Sequence, residues 1–234
     1  MKYSLFDITN LHFWNKSELL NFLDIFRSSW IQGVRFIEIE VPTCIAENFH
    51  SSGQYCQILS DDKPGFYAIR SPPDKRNVLS FIIKQTESNK GLTGGTPGST
   101  IEMSKPQGSG FKITDAFDKY KYDFPTTHVL MMACGTGIAP IASAIDSNLL
   151  GFKTTSYNSL FERRGILYLG IKTPGHIPCR RDFERWEEAG IKIIPVCSKP
   201  HIGWEGEVGY IQDVLRRDRV NIPRNTGALL CGQR

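Results

Sequence analysis

The chain has 234 residues, 40% of them hydrophobic, which is enough for one large or two small domains with a substantial core. Its net charge of +4 is mild, and no block of lysines and arginines marks a nucleic-acid-binding surface. No run approaches the roughly 18 apolar residues of a membrane-spanning helix. The six cysteines are scattered, without a Cys-x-x-Cys pair, so the sequence predicts no metal site and a soluble protein of a reducing compartment.

Residues 14–30 are the first predicted element, an amphipathic helix. Its apolar residues at helical spacing are Leu19, Phe22, Leu23, Phe26 and Trp30. Asn15 can cap the helix, with Glu18 three residues later. We therefore expect residues 1–33 to form an N-terminal helical extension. This helix either packs on its own protein or docks a partner in a larger assembly.

Residues 34–113 change to a pattern of short strands separated by turns. The predicted strands are 34–41, 55–59, 66–70, 79–83 and 100–103. Ser52-Gly53 and Pro72-Pro73 are among the turn signals between them. Strands at this spacing favour a small antiparallel β-barrel.

Residues 127–234 alternate between apolar strands and helices. The predicted strands are 128–132, 166–170, 191–196 and 228–231, and the predicted helices are 141–150, 181–189 and 208–216. This alternation predicts an α/β domain with a doubly wound parallel sheet. The boundary between the two domains is expected within 114–127.

A glycine turn follows the first strand of this second domain. Its residues are Cys134, Gly135, Thr136, Gly137, Ile138, Ala139 and Pro140. Glycines let the backbone approach a ligand closely, and free N–H groups at the start of a helix attract a pyrophosphate. The turn therefore predicts a nucleotide-binding loop, with a purely structural turn as the alternative.

Six segments, in the correct order, resemble motifs of ferredoxin–NADP reductase-like flavoproteins, in their plant and algal branch. They are 53–55, 66–71, 106–111, 135–140, the pair 198–199 with 209–212, and 230–232. The resemblance implies a flavin-binding barrel at 34–113 and an NAD(P)-binding domain at 127–234. Family members continue beyond the Cys231-Gly232 motif, so the second domain is expected to be incomplete at its C-terminus.

The resemblance also implies roles for individual residues. Tyr67 would stack on FAD beside Ala68 and Ile69, and Gly91, Thr93 and Gly94 would hold the flavin phosphates. Residues 135–140 would hold the pyrophosphate of the nicotinamide nucleotide. Cys231 would pack against the nicotinamide, to which Gly232 gives room, so Cys231 and Tyr67 are the candidate catalytic residues.

The flavin motif departs from the family pattern Arg-x-Tyr-Ser, because Gly65 and Ala68 replace the arginine and the serine. A charged phosphate ligand and a hydroxyl are therefore missing. Residues 90–96 are rich in glycine, and we expect a loop whose amides form an anion-binding nest.

The preference for NADP over NAD is predicted from the segment at the adenosine end. Ser198, Lys199, Tyr210 and Gln212 could meet a 2′-phosphate. Glu205 and Glu207 keep NAD open as the alternative, because carboxylates commonly bind the ribose of NAD.

These features together predict an NAD(P)H-dependent FAD oxidoreductase in electron transport. Its acceptor stays open between a ferredoxin, a haem protein and a quinone, and likeness to plant and algal proteins suggests the plastid stroma. The main alternative is a non-catalytic scaffold or nucleotide-sensing subunit. A short-chain dehydrogenase is disfavoured, because the first half is rich in strands and no Tyr-x-x-x-Lys pair occurs.

Overall fold

Two six-stranded sheets carry the fold, one antiparallel and one parallel. The computed structural model describes residues 2–5, 20–31, 33–60, 63–73, 77–113, 126–152, 163–175, 177–220 and 223–232. The strands are β1 Lys2–Leu5, β2 Leu20–Ile31, β3 Val34–Glu40, β4 Tyr55–Ser60, β5 Lys63–Ala68, β6 Val78–Lys84, β7 Thr100–Met103, β8 His128–Cys134, β9 Arg164–Ile171, β10 Ile191–Cys197, β11 Glu207–Val208 and β12 Thr226–Cys231. The α-helices are α1 Thr43–Ala46, α2 Lys90–Gly94, α3 Ile138–Asp146, α4 Phe183–Glu188 and α5 Ile211–Asp218.

The antiparallel sheet has the order β5-β4-β7-β2-β3-β6. Its two outer strands meet through a bridge between Ile69 and Phe81, and the Arg70 amide donates to the Ser80 carbonyl at 2.7 Å. The sheet therefore closes on itself, as a barrel must to remove its free edges. Side chains on strand β3 alternate between buried and less buried positions, as the sequence pattern of this strand predicts.

The parallel sheet has the order β1-β12-β8-β9-β10-β11. Helix α3 and Trp186 of α4 pack on one face, against residues such as Met131 and Leu167. Helix α5 packs on the other face, against Leu130 and Tyr168. Helices on both faces explain why these strands are apolar runs rather than alternating ones. The predicted fold class, a barrel followed by a doubly wound parallel sheet, is confirmed.

The helix predicted over 14–30 is wrong where the structure describes it, because residues 20–31 form the long strand β2. The pairing of β2 shifts register between Leu20 and Leu23 and again between Ile25 and Arg27. Such bulges interrupt the two-residue period of a strand, which left an apolar spacing that fits a helix equally well. Residues 14–19 lie outside the described residues.

The region before residue 34 supplies strands to both sheets. Strand β2 pairs with β3 and β7 in the barrel, whereas β1 pairs in parallel with β12, from Lys2 beside Gly227 to Leu5 beside Leu230. Within its described residues, this region is therefore part of both sheets and not a helical extension. Most of the predicted domain boundary, 114–125, lies outside the described residues.

A second difference concerns the glycine-rich stretch at 90–96, where a loop is expected. A 3-10 turn at Glu87–Asn89 leads into helix α2. The Asn89 side chain accepts from the Thr86 amide at 2.8 Å, and the Leu92 amide donates to the Ser60 hydroxyl at 3.0 Å. These capping and tertiary bonds outweigh the low helix propensity of glycine.

One apolar core runs from the barrel into the parallel sheet. Ile82, Phe111 and Ile113 belong to the same buried cluster as Met131 and Ile141. Among the described residues, no helix is long and apolar enough to cross a membrane.

Candidate functional site

The predicted nucleotide loop connects β8 to α3 at the carboxyl edge of the parallel sheet. Gly135–Gly137 form a 3-10 turn that leads directly into the helix. Gly135 has φ +54, and a Cβ there would meet nothing within 4 Å. Open space beside the start of a helix favours an anion at this position. The side chains of Ile138, Ala139 and Pro140 are buried, so only their backbone can face a ligand.

The end of β12 lies directly against this loop. A Cβ on Gly137 would lie 2.5 Å from the Cys231 carbonyl oxygen and 2.9 Å from Gly232 Cα. A Cβ on Gly232 would lie 2.7 Å from Cys134 Cβ. The glycines thus allow two backbone segments to touch, which brings the predicted pyrophosphate and nicotinamide positions together.

The Cys231 thiol is half-buried in this contact. Burial, with a smaller contribution from Cys134, raises the pKa of Cys231 to about 12. The group is therefore a neutral thiol near pH 7 and is not a thiolate nucleophile. Its geometry suits the packing role that the sequence predicts for it.

The predicted adenosine end lies at the same edge, after β10 and β11. Strand β10 pairs with β11, and the Gly209 amide donates to the Cys197 carbonyl at 2.9 Å. This bond brings the segment of Ser198 and Lys199 beside Tyr210. Lys199 is exposed, and Tyr210 is 62% exposed. Gln212 follows on the exposed side of α5.

Glu207, one of the two carboxylates that could bind the ribose of NAD, is already paired with an arginine. Both oxygens of Glu207 accept from Arg217, each at 2.8 Å. The hydrogen bond from Arg217 lowers the pKa of Glu207. This pair uses one acceptor site on each oxygen of Glu207, so a ribose diol would have to share the carboxylate with Arg217. Glu205 is exposed.

The predicted flavin platform, Tyr67, lies on β5 and is half-buried. Its ring folds back over Gly65, where a Cβ would lie 2.6 Å from Tyr67 Cζ and would collide with the hydroxyl. The Tyr67 side chain also makes a hydrogen bond with Asn89. Burial raises the pKa of Tyr67, and the bond with Asn89 offsets part of that rise. Tyr67 therefore fills the space beside the position of the missing arginine.

The three residues predicted to hold the flavin phosphates, Gly91, Thr93 and Gly94, differ in exposure. Gly91 and Gly94 are exposed on α2, and a Cβ on Gly94 would meet nothing within 4 Å. Thr93 is fully buried, and its hydroxyl donates to the Asn89 carbonyl at 2.9 Å. The phosphate role predicted for the Thr93 hydroxyl does not fit this geometry. The flanking residue Ile69 is also fully buried, and Ala68 is partly exposed.

Sequence reasoning missed the residues that join the barrel half (β2 to β7) to the parallel-sheet half (β8 to β12), which we call the nucleotide half. Ser143 of α3 donates to the Ser71 carbonyl at 2.7 Å and lies 3.0 Å from the Ser52 hydroxyl. Arg70 forms ion pairs with two aspartates of the nucleotide half. These partners are 72 to 112 residues apart in sequence, so no local pattern could have identified them. The described residues contain no group of three His, Cys, Asp or Glu side chains that could hold a metal ion.

Comparison with known proteins supports this architecture. Residues 131–234 match the family model described as the oxidoreductase NAD-binding domain. The fruit protein pKIWI502 of Actinidia deliciosa is 31% identical over 198 residues, which cover 79% of this chain and 59% of that protein. An NADH-cytochrome b5 reductase 1 of Emericella nidulans is 24% identical over 181 residues, 76% of this chain and 52% of that protein. The chain thus spans between half and three-fifths of these relatives.

Solved structures share the whole fold. A ferredoxin-NADP+ reductase mutant of Plasmodium falciparum has a TM-score of 0.72 at 19% identity, covering 97% of this chain and 90% of that one. The cytochrome b5 reductase domain of Ulva prolifera nitrate reductase has a TM-score of 0.64 at 17% identity, covering 94% and 88%.

The chain has the fold of the solved ferredoxin-NADP+ reductase structures, an antiparallel barrel followed by a parallel sheet with helices on both faces. The match to the oxidoreductase NAD-binding domain model lies in the parallel-sheet part of this fold, at residues 131–234. The resemblance inferred from the six segments is confirmed, and the plant and algal branch stays a prediction.

Proposed function

We propose that this chain is part of an NAD(P)H-dependent flavin oxidoreductase that passes electrons to a further acceptor. The observation that carries the proposal is the contact between the Gly135–Gly137 turn and Cys231-Gly232, below the open space at Gly135. The nicotinamide and the flavin would supply the hydride chemistry. The protein would bind both groups, orient them and exclude water.

The nucleotide half fits a nicotinamide dinucleotide. Gly135, Thr136 and Gly137 would hold its pyrophosphate through backbone amides at the start of the nine-residue helix α3. Cys231, as a neutral thiol, would pack beside the nicotinamide, and the exposed Gly232 would leave room for it.

NADP is the preferred nucleotide in this proposal. Lys199 and Tyr210 are both exposed beside the end of β10, where a 2′-phosphate could meet them with Ser198 and Gln212. The pairing of Glu207 with Arg217 argues against a ribose contact by that carboxylate. A ferredoxin-NADP+ reductase of similar fold from Plasmodium falciparum was solved with 2′P-AMP.

Substitution of Lys199 tests this preference. A charge-assisted hydrogen bond contributes about 1.5–3 kcal/mol, so Lys199→Glu should weaken NADPH binding by about tenfold or more. NADH binding should change much less. Fluorescence titration with each nucleotide measures both affinities, and Lys105→Glu, an exposed barrel residue, controls for net charge. Equal losses for NADPH and NADH would contradict the assignment.

The barrel fits the flat ring of a flavin better than it fits the flavin phosphates. Tyr67 would provide the aromatic face, flanked by Ala68 and Ile69. The exposed glycines Gly91 and Gly94 would let a flavin phosphate approach helix α2 closely, whereas the Thr93 hydroxyl is engaged and position 65 carries no guanidinium. We therefore expect FAD to bind, but weakly enough to dissociate on dilution.

The second candidate is a nucleotide-sensing or scaffolding subunit that does not use a flavin. The position of Tyr67 over Gly65 and the buried Thr93 hydroxyl favour it. The Tyr67 ring fills the space at position 65, where the family pattern has an arginine. The Thr93 hydroxyl, which was predicted to bind a flavin phosphate, is already bonded to Asn89. Such a subunit would bind a nucleotide at the loop of residues 135–137 and would bind no flavin in the barrel.

Cofactor content separates the two candidates. Gently purified protein should show visible flavin absorption, and NADPH should bleach it in the absence of oxygen. If the flavin is lost, titration with FAD up to about tens of micromolar should restore it, as followed by flavin fluorescence. Nucleotide binding without saturable FAD binding would support a sensor, and absence of both would support a scaffold.

The acceptor, the assembly and the compartment belong to the same proposal. A ferredoxin, a haem protein or a quinone could take the electrons. The six cysteines are free, which suits a reducing compartment, and the plastid stroma is the location proposed from the resemblance to plant and algal reductase-like proteins. A fluorescent fusion in plant cells would test that location.

A further inference from the structure

Arg70 reaches from the barrel to two carboxylates of the nucleotide half. It follows strand β5, and its Nη1 lies 3.1 Å from Asp146 Oδ2, while its Nη2 lies 2.6 Å from Asp182 Oδ2. Asp146 is the last residue of α3, and Asp182 lies in the 3-10 turn before α4. One guanidinium therefore joins the barrel to two separate elements of the other half.

The two carboxylates are held in place by their own side of the interface. Arg185 Nη1 lies 2.9 Å from Asp146 Oδ1, and Arg185 Nη2 lies 3.1 Å from Asp182 Oδ1. The buried Trp186 also donates to Asp146 Oδ1, at 2.9 Å. Each aspartate thus presents its other oxygen to Arg70 in a fixed orientation, which suits a planar guanidinium.

The contact is shielded from solvent. The side chains of Arg70, Asp146 and Asp182 are 14%, 8% and 24% exposed, whereas Arg185 is 57% exposed. A buried charge that loses its partners is strongly unfavourable, so the interface has a marked preference for this one arrangement. A surface ion pair would impose no such preference.

Both predicted cofactor sites are connected to this contact by short rigid segments. Helix α3 begins at the nucleotide loop and ends at Asp146. Tyr67, the predicted flavin platform, lies three residues before Arg70. Ser143 adds a second tie, because it donates to the carbonyl of Ser71, the residue after Arg70. A shift at this contact would therefore move the nucleotide loop relative to Tyr67.

We propose that Arg70 is a positioning residue that, through Asp146 and Asp182, sets the distance and angle between the nucleotide loop and the barrel strand of Tyr67. The effect on hydride transfer rests on the proposed function, whereas the fastening of the two halves does not. Reacting groups must approach to about 3–3.5 Å, so a displacement of about 1 Å can cost about a hundredfold in rate.

This role differs from that of the arginine missing from the flavin motif. Position 65 is the motif position, and Arg70 lies five residues later with both terminal nitrogens engaged by aspartates. A flavin-phosphate ligand would change FAD affinity when removed. A positioning residue would instead change the rate of the chemical step while affinity is kept.

The test uses Arg70→Met in the full chain, with the conservative Arg70→Lys and the matched control Arg216→Met. Arg216 is exposed and pairs with Asp213 at 3.7 Å, outside the interface. In single-turnover measurements with saturating NADPH and FAD, Arg70→Met should slow flavin reduction at least tenfold. The Kd values for NADPH and FAD should stay within about twofold, and Arg70→Lys should recover part of the rate.

Three outcomes would overturn the proposal: an unchanged reduction rate, a loss of FAD affinity that accounts for the slower rate, or an equal effect of Arg216→Met. If Arg70→Met does not fold, Asp182→Asn weakens the same contact while Arg185 and Asp146 remain. The same rate and affinity criteria then apply to it.

Hydrogen exchange tests the fastening without any flavin. Arg70→Met should increase amide exchange at residues 69–71 and at 143–147 together, and should leave β9 and β10 unchanged. No increase, or an increase on one side only, would contradict the fastening. If wild-type protein never reduces flavin, the proposed function is wrong. The exchange experiment still decides whether Arg70 holds the two halves together.

Discussion

Gly137→Ala should lower both thermal stability and nucleotide affinity, and it is one of the two substitutions with the largest expected effects. The new Cβ would lie 2.5 Å from the Cys231 carbonyl oxygen and 2.9 Å from Gly232 Cα. Both are backbone atoms, which cannot rotate away. Overpacking costs about 1–3 kcal/mol, which corresponds to a fall in Tm of about 2–12 °C for a chain of this size.

Gly135→Ala is the matched control, because its cost has a different origin. At φ +54 an alanine is strained by about 1–2 kcal/mol, but its Cβ would meet nothing within 4 Å. That open space is where we place the pyrophosphate. We therefore expect a smaller fall in Tm for Gly135→Ala, together with at least a tenfold loss of NADPH affinity.

Differential scanning fluorimetry and NADPH titration measure the two effects separately. A wild-type Tm for Gly137→Ala would mean that the loop and the end of β12 do not touch as described. If folded Gly135→Ala protein bound NADPH as tightly as wild type, the pyrophosphate would not bind at this turn.

The nucleotide half could be predicted from sequence because its determinants are local. Strands buried on both faces are continuous apolar runs, and a glycine turn marks the start of α3. The helix ends were less accurate: the helix predicted at 141–150 begins at Ile138 and ends at Asp146. Pro140 is compatible with this start, because its missing N–H falls in the first turn.

The barrel was predicted less completely because several of its determinants act over long distances. Strand β2 is defined by pairing with β3 and β7, and its bulges conceal the strand period. The helical turn at 90–94 depends on Ser60, 32 residues before Leu92. The pairing of β1 with β12 joins the two ends of the described chain, which no sequence window contains.

In the candidate site too, features encoded locally were predicted and features that depend on distant partners were not. The loop at 135–137 was predicted from its glycines and the Cys231-Gly232 pair from the family resemblance, and in the structure the two segments are in contact. The engagement of Thr93 by Asn89 and of Glu207 by Arg217 could not be anticipated, because residue types do not reveal which side chains are already bonded. The same limitation concealed the role of Arg70.

The second large effect is expected on restoring the arginine of the flavin motif at position 65. Any side chain there must first displace the Tyr67 ring, because a Cβ would lie 2.6 Å from Tyr67 Cζ. The ring is the end of a side chain and can rotate, at the cost of its hydrogen bond with Asn89. That bond is worth about 0.5–1.5 kcal/mol.

Gly65→Arg should therefore be compared with Gly65→Ala rather than with wild type, because both variants displace Tyr67. The guanidinium would add a charge-assisted phosphate contact worth about 1.5–3 kcal/mol. FAD should accordingly bind the Gly65→Arg variant about ten- to a hundredfold more tightly than the Gly65→Ala variant. FMN has a single phosphate, so comparing the two flavins shows which phosphate the arginine meets. Equal FAD affinity of the two variants by fluorescence titration would place the flavin phosphates away from position 65 and would favour the nucleotide-sensing subunit, because a charge added at the motif position would then have no flavin phosphate to bind.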